Sequence, residues 1–293
     1  MHLGRRGLMA AVLVLAFIGT GCLHTIAPSG DPPLRYRDLV FADVVTTTGV
    51  QYGAAPDQAG QIVNLLLDVY SPAPDTATSR PAIVWVHGGG FSSGTRTSPE
   101  IVDEATTFAK KGYVNVSISY RLTPGGCSAG EPTPACITGI LDAQHDAQAA
   151  VRFLRANAAT YGVDPTRIGI AGTSAGAITA LNVAYNSTDV GTSGNPEQSS
   201  AVRAAVSLSG AKIFGAYDAG DAPTLLFHGS NDVIVPYQWA VNTVNDARAA
   251  GLTSALETWE GAGHVPYGQF RQQILDQTSN FFYWQLDVVH AAG

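Results

Sequence analysis

Charge is what this 293-residue chain has least of: acidic and basic side chains make up 13% of it, about half the usual share in globular proteins. The charge present leans negative, with 23 Asp and Glu against 16 Lys and Arg and no basic run. Such a surface repels phosphate backbones, which excludes nucleic acid as the expected partner. Long apolar runs are also missing. The longest, Leu8 to Ile18, has eleven residues, too few for a spanning helix of about 20. Repeats, low-complexity tracts and an internal linker are absent, and cysteines number three. Glycine and proline, 32 and 16 residues, make the chain loop-rich without reaching the level that signals disorder. At this length a single α/β domain buries about three-quarters of its unfolded surface, so the core can be large.

Residues 1–22 have a basic start carrying Arg5 and Arg6, the apolar run, and a small-residue end at Gly19-Thr20-Gly21. That layout predicts a secretory signal peptide, and its removal makes the chain more acidic. Gly21-Cys22 resembles the end of a bacterial lipobox, although Gly19 stands where such boxes usually carry Leu. The expectation is therefore an exported protein of the cell envelope, attached to a membrane through a lipidated Cys22. A plain signal-peptidase cut at the same bond is the alternative. Cys127 and Cys136 are then left as a pair in a Gly/Pro-rich stretch. An oxidising compartment would join them as a disulfide. Two free thiols are the competing reading, and no nearby His completes a zinc site.

After an irregular arm (23–38), residues 39–293 read as one domain. Two antiparallel edge strands are expected at Phe41–Thr47 and Ile62–Tyr70. From Ala82 onward short apolar runs alternate with amphipathic ones. Strands are predicted at 82–87, 113–119, 167–172, 201–209, 223–228 and 255–260. Helices are predicted from Ser98 to Lys110, where Ser98 suits an N-cap before Pro99, through Ile140 to Leu154, and after Gly172, Pro236 and Tyr267. Continuous apolar strands alternating with helices predict an α/β fold with a mostly parallel central sheet covered on both faces. Thirteen residues, Gly210 to Ala222, separate two of these strands, which leaves no room for a sizeable lid domain.

Gly172-Thr173-Ser174-Ala175-Gly176 places a G-x-S-x-G at a strand-to-helix junction. A sharp turn there lifts the Ser174 hydroxyl above the sheet and needs glycine on either side. A serine hydroxyl attacks only with a base in reach. Of seven histidines, His264 in Gly261-Ala-Gly-His264 lies in a loop after the last strand and is the candidate base. His87 and His228 end strands and are expected to serve packing. Asp232, in His228-Gly-Ser-Asn-Asp232, is the candidate to orient His264. The order Ser174, Asp232, His264 suits this fold. His87-Gly88-Gly89-Gly90-Phe91 lets backbone N–H groups approach a developing oxyanion. Its spacing fails the nucleotide-binding glycine patterns.

Together HGGGF, Tyr120-Arg121-Leu122, GTSAGA, HGSNDVIVP and GAGH resemble an esterase of the α/β-hydrolase superfamily, of the hormone-sensitive-lipase-like and carboxylesterase-type branch. The resemblance runs from about Ile62 to Trp284. It implies Ser174 as nucleophile, His264 as general base and acid, Asp232 as its partner, and the amides of Gly89, Gly90 and Ala175 as the oxyanion hole. It implies no metal and no cofactor. Thr173 stands where the two branches often have Asp or Glu, and Ala177 where Gly is common. A lidless site implies short acyl groups, or an ester projecting from a bulky polymer such as acetylated or feruloylated xylan. Amide, formamide or peptide hydrolysis by the same triad is one rival reading. A non-catalytic binding protein on the same fold is another.

Overall fold

In the computed structural model, which describes residues 26–127, 132–186 and 188–288, the apolar runs assemble into one eight-stranded sheet. The strands are β1 (Asp43–Pro56), β2 (Ile62–Ala73), β3 (Arg80–Val86), β4 (Val114–Ile118), β5 (Val163–Thr173), β6 (Ala204–Leu208), β7 (Thr224–Gly229) and β8 (Ser254–Trp259). Their order across the sheet is β1-β2-β4-β3-β5-β6-β7-β8. β1 pairs with β2, and β2 with β4, antiparallel; every other pair is parallel. The helices are α1 (Pro99–Lys110), α2 (Pro134–Ala156), the single turn α3 (Ala158–Tyr161), α4 (Ala175–Tyr185), α5 (Tyr237–Ala249) and α6 (Tyr267–Gln285). This is the α/β-hydrolase architecture.

All seven residues of β3 are buried, and their alternation splits the core in two. Ala82, Val84 and Val86 join the layer beneath α2, α4 and α5. Ile83 and Trp85 point the other way, into the layer holding Phe108 of α1 and Phe282 of α6. Successive side chains of a strand face opposite sides, so a continuous apolar run serves both cores. No helix or strand interrupts the path from Leu208 to Thr224, in keeping with the absence of a lid. No helix among the described residues is long and apolar enough to cross a membrane. The signal segment, with Cys22, lies outside the described residues.

Some boundaries differ from expectation. β1 starts at Asp43 and runs 14 residues, well past the predicted end at Thr47. Its register against β2 shifts between Thr47 and Val50 and again between Gln51 and Gly53. Such bulges break the period-2 pattern by which a strand is read. Helix α2 begins at Pro134, where Thr133 caps it by accepting the Cys136 N–H at 3.1 Å. Ser98 sits at the N-cap of α1 without capping it; its hydroxyl accepts from the Thr95 N–H at 3.3 Å instead. The arm is irregular, as expected, yet docked. Tyr36 is buried, its N–H donates to the Lys111 carbonyl at 2.7 Å, and Arg35 forks onto Asp75 at 3.1 and 2.6 Å.

Candidate active site

Ser174 is the single residue between β5 and α4, with φ 54° and ψ −116°, a region that non-glycine residues avoid. Its N–H donates to Leu208 O at 2.8 Å and its carbonyl accepts from Ile178 at 3.0 Å. Those anchors on β6 and on the first turn of α4 hold the strain. The turn also explains the glycines around it. A side chain on Gly176 would collide with the Val86 carbonyl, and one on Gly172 with the carbonyl of Gly176.

Two loops from the same edge of the sheet meet the serine. After β7 the chain turns through Asp232, whose Oδ1 accepts the N–H groups of Ile234 at 2.9 Å and Val235 at 3.1 Å. After β8 comes His264, followed by Val265 at φ 48°, whose N–H is held by Ser209 Oγ at 3.0 Å. His264 Nδ1 lies 2.8 Å from Asp232 Oδ2 and its Nε2 2.8 Å from Ser174 Oγ. A carboxylate only accepts, so Nδ1 carries the hydrogen and Nε2 is left to accept from the serine. Burial alone would raise the Asp232 carboxyl, but donation from His228 and His264 and from the Ile234 amide outweighs it. The group is held well below the usual carboxylate range. It therefore stays ionised at neutral pH.

The HGGGF turn is braced from below. His87 is fully buried and stacks on Tyr120, with ring centroids 4.2 Å apart. Its Nδ1 donates to Gly88 O at 2.6 Å, and the Tyr120 hydroxyl donates to the His87 carbonyl at 3.1 Å. Gly89 adopts φ 110°, open to glycine alone, and a side chain there would run into Ser93. Gly90 accepts the Cys127 N–H at 2.7 Å through its carbonyl. Gly90 and Ala175 face one cavity with Ser174, and Gly89 and Gly90 face an adjoining cleft with it. The three expected oxyanion residues thus line the spaces that Ser174 opens onto.

Burial drives the His87 imidazole down to about 4, against the smaller opposing effect of its bond to Gly88. A histidine lowered in the folded state binds protons more readily when unfolded. Its contribution is complete above the unfolded value of 6.5 and is lost as pH falls toward 4. At pH 5 that loss is about 2 kcal/mol. Asparagine offers a donor near the Nδ1 position and does not titrate. Urea unfolding at pH 7.5 and pH 5 should therefore show wild type losing about 2 kcal/mol more than His87→Asn. Equal losses would contradict the assignment.

Two spaces open at Ser174. One is a small apolar cavity of about 60 Å³, walled by Phe91, Ile140, Ile178, Ile213, Val235 and Trp239 and by Cys127 and Cys136. These two cysteines form the expected disulfide, with Cα atoms 4.4 Å apart. The other is an open cleft of about 400 Å³ along the glycine turn, bordered by Ser93, Ser98, Glu100 and His264. Among the described residues no cluster of three His, Cys, Asp or Glu side chains could hold a metal ion. One residue was misread in the sequence. His228, expected to serve packing, has its Nε2 3.1 Å from Asp232 Oδ2. Its four-residue spacing from Asp232 was the available signal.

Known proteins resemble this chain in sequence and in fold. The family model BD-FAE matches residues 67–218, just over half of the chain. A second model, TAP-like protein, matches residues 194–282. Phenmedipham hydrolase of Pseudarthrobacter oxydans is 37% identical over 124 residues, covering 42% of this chain and 23% of that protein. Carboxylesterase NlhH of Mycobacterium tuberculosis is 35% identical over 130 residues, covering 44% of this chain and 36% of that protein. The aligned stretch thus spans about a quarter to a third of the length of these curated relatives. Among solved structures, esterase 2 of Thermogutta terrifontis phosphoramylated by tabun superposes with TM-score 0.68 at 24% identity, over 84% of this chain and 95% of that one. A truncated carbohydrate esterase from gut microbiota gives 0.67 at 22% identity, over 85% and 98%. The chain belongs to the BD-FAE family and has the α/β-hydrolase fold.

Proposed function

We propose that this protein is an exported carboxylic ester hydrolase that works through an acyl-enzyme on Ser174. The observation that carries the reading is the continuous chain from Ser174 Oγ through His264 to Asp232, each link 2.8 Å, opening onto an apolar cavity. His264 takes the serine proton as Oγ attacks the ester carbonyl. The amides of Gly89, Gly90 and Ala175 receive the oxyanion, each such donor contributing about 10²–10³ in rate. The imidazolium then protonates the departing alcohol, and water repeats the cycle on the acyl-enzyme. Asp232 keeps its charge throughout and holds the imidazole in the required tautomer. The names of the relatives above, phenmedipham hydrolase and carboxylesterase, are consistent with this chemistry. Export is supported by the signal-like segment 1–22 and by the disulfide, which suits an oxidising compartment. Lipidation at Cys22 would keep the enzyme at the envelope.

Shape divides the substrate. Of the two spaces at Ser174 the apolar cavity is the smaller, about 60 Å³ against about 400 Å³ for the cleft, and Phe91, Ile178 and Trp239 wall it. We assign it to a short acyl chain, and the open cleft to a larger alcohol portion such as a sugar polymer. Hydrolysis of p-nitrophenyl esters from acetate to palmitate tests this. The specificity constant should be highest at two to four carbons and fall about 10-fold or more by eight, where each methylene without room is costly. Faster turnover of the long-chain esters would overturn the substrate assignment. A folded protein with no ester turnover would overturn the activity itself.

A further inference from the structure

Asp232 is in contact with two imidazoles, and the second is absent from the mechanism above. His228 lies near the end of β7 and is fully buried. Its Nε2 is 3.1 Å from Asp232 Oδ2 and 2.9 Å from the carbonyl oxygen of Val235. Both neighbours can only accept, so Nε2 must carry a hydrogen and divide it between them. Nδ1 is buried with no hydrogen-bond partner among the described residues. A bare ring nitrogen is tolerable there, whereas an N–H would be a buried donor with nothing to meet it. Geometry thus fixes both the tautomer and the direction of donation. Tyr237, from the first turn of α5, meets the ring edge-on with centroids 5.9 Å apart, so the imidazole is held in place from the side.

The consequence concerns the carboxylate. Its Oδ1 is taken by the Ile234 and Val235 amides, which fix one oxygen. Without a second anchor the carboxylate could still twist about its Cβ–Cγ bond and move Oδ2 away from His264. We propose that His228 is a positioning residue for the reaction, donating from Nε2 to Asp232 Oδ2 so that this oxygen stays aimed at His264 Nδ1. The same hydrogen holds the Val235 carbonyl, and Val235 walls the apolar cavity. The triad and the acyl pocket therefore share a support. The assignment rests on the triad reading of the preceding subsection.

Two substitutions separate donation from packing. The side-chain amide of Gln can present an N–H near the Nε2 position; Met fills similar space without a donor. His228→Met should lower kcat on p-nitrophenyl acetate about 10- to 100-fold, the value of a hydrogen bond to a charged group, with KM little changed. His228→Gln should recover kcat to within about threefold of wild type. Equal losses in the two variants, or none in a folded His228→Met protein, would overturn the proposal. Imidazole ¹⁵N spectroscopy of the wild-type protein tests the same assignment without relying on turnover or on either variant folding. His228 should appear as the Nε2–H tautomer with bare Nδ1, and the Nδ1–H tautomer would reject it. If wild type has no esterase activity but this tautomer is present, it is the functional reading that fails and not the contact.

Discussion

Replacing Ser174 by alanine is expected to lower kcat for ester hydrolysis by about 10⁴–10⁶-fold while leaving the protein folded. The size of the loss follows from what the substitution removes. Without Oγ no acyl-enzyme can form, and His264 has no nucleophile to deprotonate. What remains is the set of amides around the cavity and a water molecule placed by chance, which together still exceed the uncatalysed rate. Folding should survive because the strained backbone at φ 54° is held by the bonds of Ser174 N–H and C=O to β6 and α4, not by the hydroxyl. Alanine keeps the same Cβ in the same place. Among the described residues the hydroxyl's one hydrogen-bond partner is His264, in a partly exposed loop, so its removal should change stability by no more than about 1 kcal/mol. Turnover of p-nitrophenyl acetate beside a urea melt measures both quantities. A folded Ser174→Ala protein with kcat within tenfold of wild type would remove Ser174 from the mechanism.

The reading of Ser174 illustrates why so much of this site is visible in the primary structure. A nucleophile turn imposes steric demands on its immediate neighbours, so Gly172 and Gly176 are fixed by local collisions and leave a five-residue trace. The strand runs are equally legible, because a parallel sheet covered on both faces excludes charged residues from the six consecutive positions Pro81 to Val86 of β3. His264 and Asp232 follow once strand order is known, since both lie in loops at the same sheet edge as the serine. What escapes is set by contacts distant in sequence or by irregular backbone. The two bulges of β1 interrupt alternation and hide half of the strand. The start of α2 at Thr133-Pro134 carries an N-cap signal, but it falls at the end of the Gly/Pro-rich cysteine stretch, which reads as loop. The small cavity is invisible because its walls come from α2, α4, α5 and the HGGGF turn together. His228 was misjudged for a different reason. A histidine ending a strand beside glycine occurs twice in this chain, and His87 does serve packing, braced on Tyr120. Only the turn through Asp232 brings the carboxylate back over His228.

Asp232→Asn should be nearly as damaging as the loss of the serine, with kcat at pH 7 reduced about 10³–10⁴-fold and KM little affected. The carboxylate accepts from four N–H groups: the Ile234 and Val235 amides on Oδ1, and His264 and His228 on Oδ2. A side-chain amide has one accepting oxygen and one donating nitrogen, so it cannot satisfy both pairs. With the NH₂ toward the imidazoles, it would donate to His264 Nδ1 and drive the hydrogen onto Nε2. The base then has no lone pair for the serine proton. With the NH₂ toward the backbone, the Ile234 and Val235 amides lose their acceptor, at about 1–3 kcal/mol for the buried Val235 contact and less for the part-buried Ile234 one. The first arrangement costs rate by removing the base; the second costs stability, and rate as well, since a neutral amide does not compensate the positive charge formed on His264. The stability effect has a pH signature. Asp232 is depressed in the folded state, so its contribution is present above the unfolded carboxylate value of about 3.9 and is lost as pH falls through the folded one. Wild type should therefore approach the stability of Asp232→Asn only under strong acid, and clearly exceed it at pH 6. Urea melts at pH 6 and pH 3 measure that gap, and kcat at pH 7 measures the catalytic loss. An Asp232→Asn protein that keeps more than a tenth of wild-type kcat would show that His264 is oriented by something other than this carboxylate.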